Sequence, residues 1–166
     1  MLRVKVSWLR VLYQVAALVA PLLLLCPGAG AQTQQQHVHA AGPGVMPFDL
    51  AGSVHYFRMT ESGGVQRVVT KESNARDQVA LIQQHLQQEA ARFQHGDYSD
   101  PAALHGAIMP GLDDLRKGAS KIKVTYAPLA TGAQITFETA DAHLLTAIHR
   151  WFGAQLSEHG ADAKAE

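Results

Sequence analysis

Along Asn74–Gly96 the apolar positions Val79, Ile82, Leu86, Ala90 and Phe93 recur at steps of three and four, which predicts one amphipathic helix with a single buried stripe. Asn74 is placed to cap its start, and Gly96 to end it in the left-handed conformation. On either side the period drops to two. Ser53–Thr60 and Val65–Thr70 alternate about Glu61-Ser62-Gly63-Gly64, and Lys121–Tyr126 and Ala133–Thr139 alternate about Thr131-Gly132, so two β-hairpins are expected. In the second hairpin Ile122, Val124, Tyr126, Ile135 and Phe137 share the core face. In the first, the Val54 face is expected beneath the helices, leaving His55, Phe57 and Met59 as an exposed apolar strip suited to a homodimer through the sheet. Asp141 can cap a second helix that runs to about Glu158 and is ended by Gly160. Between the halves, Gly96–Gly118 admits only short helical turns, one of them started at Pro101 with Asp100 as its cap.

The order hairpin, helix, linker, hairpin, helix has the pattern of a duplicated ββα unit. It predicts a two-layer α+β domain, a four-stranded antiparallel sheet with two main helices on one face. Val79, Ile82, Leu86 and Ala90 match Leu145, Ile148, Phe152 and Leu156 at an offset of 66, whereas His85 and His149 are 64 apart. Two residues turn a helix through roughly 200°, so these two histidines fall on different sides of their stripes.

Composition changes the picture chiefly at the start of the chain. Residues 1–31 hold Arg3, Lys5 and Arg10, no acid, an apolar run over Val11–Leu25 and a terminal Ala29-Gly30-Ala31, the pattern of a secretory signal peptide cleaved after Ala31. The protein is therefore expected to be exported, periplasmic or secreted, with no stable membrane insertion after cleavage. Residues 32–47, rich in Gln, Gly and Pro and carrying His37 and His39, read as a flexible tether. Residues 48–160 then form the single domain and 161–166 a disordered tail. Beyond the first 31 residues there are eleven cations against fourteen acids, a balance that speaks against nucleic acid as a partner. The only cysteine, Cys26, leaves with the signal, so the remainder has no thiol for a disulfide or a metal. All nine histidines stay.

Imidazole is then the softest strong ligand left, and a copper or zinc ion is the cofactor it would suit. His85 and Glu89 stand one turn apart on the flank of the helix stripe, so both could reach one ion. His105 and Met109 in HGAIMPG, with His149 on the second helix, complete the candidate metal set; His143 and His159 are further histidines near it. None shows a zinc-motif spacing. No serine sits in a nucleophile elbow, and no catalytic group is assigned.

The stretches FDLAGSVHYF, GGVQRVV, HLQQEAARFQHGDYSDPAALHGAIMPGL and HRWFGAQLSEHG resemble a family of short bacterial proteins, mostly exported, that often carry the name aspartate carbamoyltransferase. The resemblance covers about Pro47 to Asp162 and implies no fold, mechanism or site residue. The activity in that name needs clustered cationic or backbone donors for phosphate and dicarboxylate, and the chain has neither an Ser-Thr-Arg-Thr loop nor grouped arginines. Three functions are thus in play: first a periplasmic binding module for a transition metal or metal-containing ligand, then a structural or interaction domain, and last the transferase.

Overall fold

The structure is a computed structural model that describes residues 33–166. The expected signal peptide, residues 1–31, lies outside the described residues. In chain order the elements are α1 (Gln34–Ala41), β1 (Ser53–Thr60), β2 (Gly63–Thr70), α2 (Arg76–Gln94), α3 (Ser99–His105), α4 (Leu112–Gly118), β3 (Lys123–Leu129), β4 (Gly132–Glu138), α5 (Ala142–His159) and β5 (Ala163–Ala165). Among the described residues no helix is long and apolar enough to cross a membrane.

Both hairpins form, and the domain is α+β. The sheet has the order β3-β4-β2-β1-β5, antiparallel throughout except that β5 joins β1 in parallel. The expected four strands are thus five and the sheet is mixed, because within the expected tail, 161–166, Ala163–Ala165 pair with the β1 edge. The ββα duplication is incomplete as well, since α1, α3, α4 and β5 have no counterparts.

The main helices cover the sheet crosswise. α2, which follows the first hairpin, packs mainly on β3 and β4, whereas α5 packs on β2 and β1. Gln83 Nε2 donates to the Leu129 carbonyl at 3.0 Å, Gln94 Nε2 to that of Ile122 at 3.0 Å, and Gln94 Oε1 accepts from the Val124 amide at 2.9 Å. These bonds pin α2 along the edge strand β3, an edge that would otherwise offer open hydrogen-bonding groups.

The covered face of β1 is the one carrying His55 and Phe57, the reverse of the sequence expectation. His55 is 3% exposed and Phe57 1% exposed, so two of the three residues of the expected dimer strip are buried, whereas Met59 is 45% exposed; Val54, on the opposite face, is buried as well at 6%. Alternation alone could not choose, since β1 has apolar side chains on both faces. Register decides: Phe57 pairs with Gln66, which pairs with Ile135, and His55 pairs with Val68, which pairs with Ala133. Val68, Ala133 and Ile135 are all fully buried.

Residues 32–47 are not a loose tether where they are described. Thr33 makes a reciprocal cap with Gln36 at the start of α1, and Val38 on that helix is 1% exposed. Val38 and Met46 join the core, so this segment is held by burial despite its polar composition. At the helix ends, Asp141 caps α5 as expected, accepting from the His143 and Leu144 amides. Asn74 does not cap α2, which begins after Ala75 with no side-chain cap; Gly96, at φ +77°, follows its end.

Candidate functional site

Between α2 and α5 the packing over the sheet differs along its length. At one end Phe93, Tyr98, Phe137, Trp151 and Phe152 close the gap with aromatic rings 4.7–5.9 Å apart. Towards the other end it opens into a cavity of about 40 Å³, lined from α2 by His85 and Glu89, from α3 by Asp100, Leu104 and His105, and from α5 by Trp151, Gln155 and His159. His55 of β1, Gln66 of β2, and Val45, Met46, Phe93 and Pro101 complete the wall.

Three imidazoles form a continuous group. The His55 and His159 rings stack with centroids 4.6 Å apart, and His159 meets His105 edge-on at 4.9 Å. Phe48 lies against both His55 and His85, at 6.1 and 5.7 Å. Glu158 Oε2 is 2.7 Å from His105 Nδ1. With Nδ1 donating to that carboxylate, Nε2 carries the lone pair, and Nε2 is buried with no partner. His55 Nδ1, Gln66 Oε1, Gln155 Oε1 and Trp151 Nε1 are likewise buried and unpartnered. Buried polar atoms nearly always find hydrogen bonds, so these five atoms of the cavity wall are the ones open to a further partner, ordered water included.

Burial sets the protonation of this wall. His55 is lowered from its ordinary 6.5 to about 4, first by desolvation and then by the facing His85, against an opposing pull from Asp162. Desolvation also lowers His159, well below its ordinary value, and His85. For His105 desolvation outweighs the hydrogen bond and charge of Glu158, and the net shift is again downward. Glu89 moves the other way, raised to about 8 by desolvation, then by the charge of Asp100 and a hydrogen bond to it, with Arg92 opposing. Arg92 contacts both carboxyls, Glu89 at 3.3 Å and Asp100. Burial thus favours the uncharged imidazoles and the protonated form of Glu89, while Arg92 pairs with Asp100.

Of the expected site residues, His85, Glu89 and His105 do line one cavity. Met109 is buried but belongs to the hydrophobic core and not to the cavity wall. His149 is also placed elsewhere: its Nε2–H donates to the carbonyls of Thr60 at 3.0 Å and Gly63 at 2.9 Å, tying α5 to the β1–β2 turn. Asp100, expected as a helix cap, is instead paired with Arg92, and Asp97 accepts from the Ser99 amide at the start of α3. His37 and His39 stand on α1, where His39 Nε2 lies 2.6 Å from Asp162 Oδ2. His55, Gln66 and Gln155 were not foreseen. His143 is exposed and pairs with Asp114 at 3.1 Å. Among the described residues no group of three or more His, Cys, Asp or Glu stands in position to hold a metal ion.

Comparisons with protein-family models, with curated proteins and with solved structures found no match for this chain.

Proposed function

We propose that this chain is an exported binding module whose ligand is a transition-metal ion, or a small molecule carrying one, taken up in the cavity between α2, α3 and α5 through imidazole nitrogens. The observation that carries this reading is His105, whose Nδ1 is oriented by a carboxylate while its buried Nε2 lone pair has no partner. A carboxylate on one ring nitrogen is how metal-bound histidines are fixed in tautomer and direction. The neighbouring rings of His159 and His55 extend this imidazole group, with centroids 4.9 Å from His105 to His159 and 4.6 Å from His159 to His55. Most of the orphan atoms, the His105 nitrogen and both glutamine oxygens among them, are electron-pair donors, and a cation satisfies donors that water-poor surroundings leave idle. Because no three ligands stand ready together, uptake requires the rings to turn about their side-chain torsions as the ion enters.

A structural or protein-interaction domain is the second reading, favoured by that same lack of a ready group of three ligands. Partners for it would meet the outer sheet face, where Tyr56 and Arg67 stack at 4.6 Å. For carbamoyl transfer the cavity wall holds no arginine, and Arg92 beside it is paired with two carboxyls, the opposite of a phosphate or dicarboxylate site.

Equilibrium dialysis with Cu(II) and Zn(II), on protein purified from cells expressing the full chain, tests the first reading. One equivalent of either metal should be retained by the natural protein and lost on His105→Gln, and weakened on His85→Ala. Retention unchanged by His105→Gln, or no retention at all, removes the metal reading.

A further inference from the structure

We infer that this cavity also takes a small uncharged primary amide, R–CO–NH2 with R no larger than a methyl group, held by hydrogen bonds to Gln66, His105, Trp151 and Gln155. The inference goes beyond the metal reading and needs no ion. Its ground is the sense of the unpartnered atoms, each of which either gives or takes a hydrogen bond. His105 Nε2 accepts, because Nδ1 of the same ring donates to Glu158. The Gln66 and Gln155 oxygens accept as well, in the orientation found. Trp151 Nε1–H only donates, and His55 Nδ1 takes either role with its tautomer.

The matching occupant has more donors than acceptors and at least one of each. A primary amide has two N–H donors and one carbonyl oxygen. A carboxylate offers acceptors alone and an ammonium group donors alone, so each leaves part of the wall unmet. The two carboxyls of the wall are already engaged: Glu89 is hydrogen-bonded to Asp100, and Asp100 is paired with Arg92. Size points the same way. A volume of about 40 Å³ holds roughly three water-sized occupants, which corresponds to a molecule of about three or four heavy atoms, formamide or acetamide. So small a space keeps an occupant that fills it close to every wall, and Val45, Leu104 and Phe93 leave apolar surface for one methyl group. Water fills the same volume, but a single amide reproduces its hydrogen bonds and frees the waters it displaces. Amide and ion would both use His105 Nε2 and so exclude each other, which is why the amide is tested on metal-free protein.

The test is proton–nitrogen NMR of the Trp151 indole N–H, on chelator-treated protein purified from cells expressing the full chain. Trp8 is the other of the two tryptophans, and Trp8→Phe assigns the signal. Acetamide should move it saturably, with a dissociation constant on the order of 1 mM, as expected of so few atoms. N,N-dimethylacetamide, which keeps the carbonyl and loses both donors, and acetate, which has no donor, should bind at least tenfold more weakly. Gln66→Leu and Gln155→Leu should each weaken acetamide about fivefold. Each exchange removes a polar atom without a partner, so both variants should fold; if they do not, the acetamide and dimethylacetamide comparison on the natural protein decides alone. Dimethylacetamide binding as tightly as acetamide, affinity unchanged in both glutamine variants, or no saturable shift, the mark of ordered water only, overturns the inference. Metal retention is read separately by dialysis, so neither reading falls with the other.

Discussion

The two ends of the α2–α5 gap share these two helices and obey opposite rules. At the aromatic end Phe93, Phe137, Trp151 and Phe152 meet mostly edge to face, the arrangement in which ring quadrupoles attract, and they are at most 3% exposed. One turn further along α5, Gln155 and His159 replace aromatic residues, and opposite them stand Glu89, His55 and Gln66. Burying those groups without partners costs stability, which apolar side chains of the same size would not. The helix pair closes its gap with rings at one end and leaves it polar at the other; under the proposed reading the polar end is kept for a ligand, with the aromatic end as the anvil that holds the walls in place.

The largest effect should come from breaking the anvil. Phe137→Ala removes a ring that touches Phe93, Trp151 and Phe152 and should lower the unfolding free energy by about 3–5 kcal/mol, measured by urea titration. Removing charge cost at the polar end should do the reverse in acid. Between pH 6.5 and about 4 the unfolded chain binds a proton that the buried His55 refuses, so stability is complete above 6.5 and lost as pH falls towards 4. That single group contributes about 3 kcal/mol of acid loss, and His55→Phe should show a correspondingly flatter profile between those pH values.

Glu89 should act on the alkaline side. Folded, it keeps its proton up to about pH 8, whereas unfolded it gives the proton up near its ordinary 4.5, so its contribution is present below 4.5 and fades as pH rises to 8. Glu89→Gln mimics the protonated acid and should gain about 2 kcal/mol over the natural protein at pH 8, discounted for the exposed Arg92 beside it, with no gain at pH 4. A gain equal at both pH values would mean that the carboxyl is not protonated by its surroundings. The smallest effect belongs to His149, outside the cavity. His149→Ala should cost about 1 kcal/mol through its lost bond to the hairpin turn and leave metal retention unchanged.

Much of the scaffold was legible from periodicity. The hairpins, both long helices, the Asp141 cap and the Gly96 stop follow from patterns that depend on neighbours in sequence. So did the separation of His85 from His149: a displacement of two residues on a helix placed one at the cavity and the other at the β1–β2 turn. What escaped depended on tertiary pairing. The face of β1, and with it His55, is chosen by register with β2, and the strand formed by Ala163–Ala165 exists only because the β1 edge is there to receive it. The burial of α1 is likewise invisible in a run of glutamines, where the single Val38 does the anchoring. Gln155 was within reach. The 66-residue offset that aligned the two apolar stripes also aligns Glu89 with Gln155, two polar groups at core positions of both helices. His159 continues the step from Ile148 through Phe152 and Gln155, but ending the helix at Glu158 put it outside the stripe.

The central claim is that the polar end exists for an ion, and ligand-linked stability tests it most directly. The urea midpoint of the purified protein should be measured without metal and with Cu(II) or Zn(II) held at about a hundred times its dissociation constant, for the natural chain and for the double variant His105→Gln/His159→Gln. The claim predicts a gain of about 2.7 kcal/mol in the natural chain and none in the double variant. An equal gain in both, or no gain in the natural chain, would contradict it.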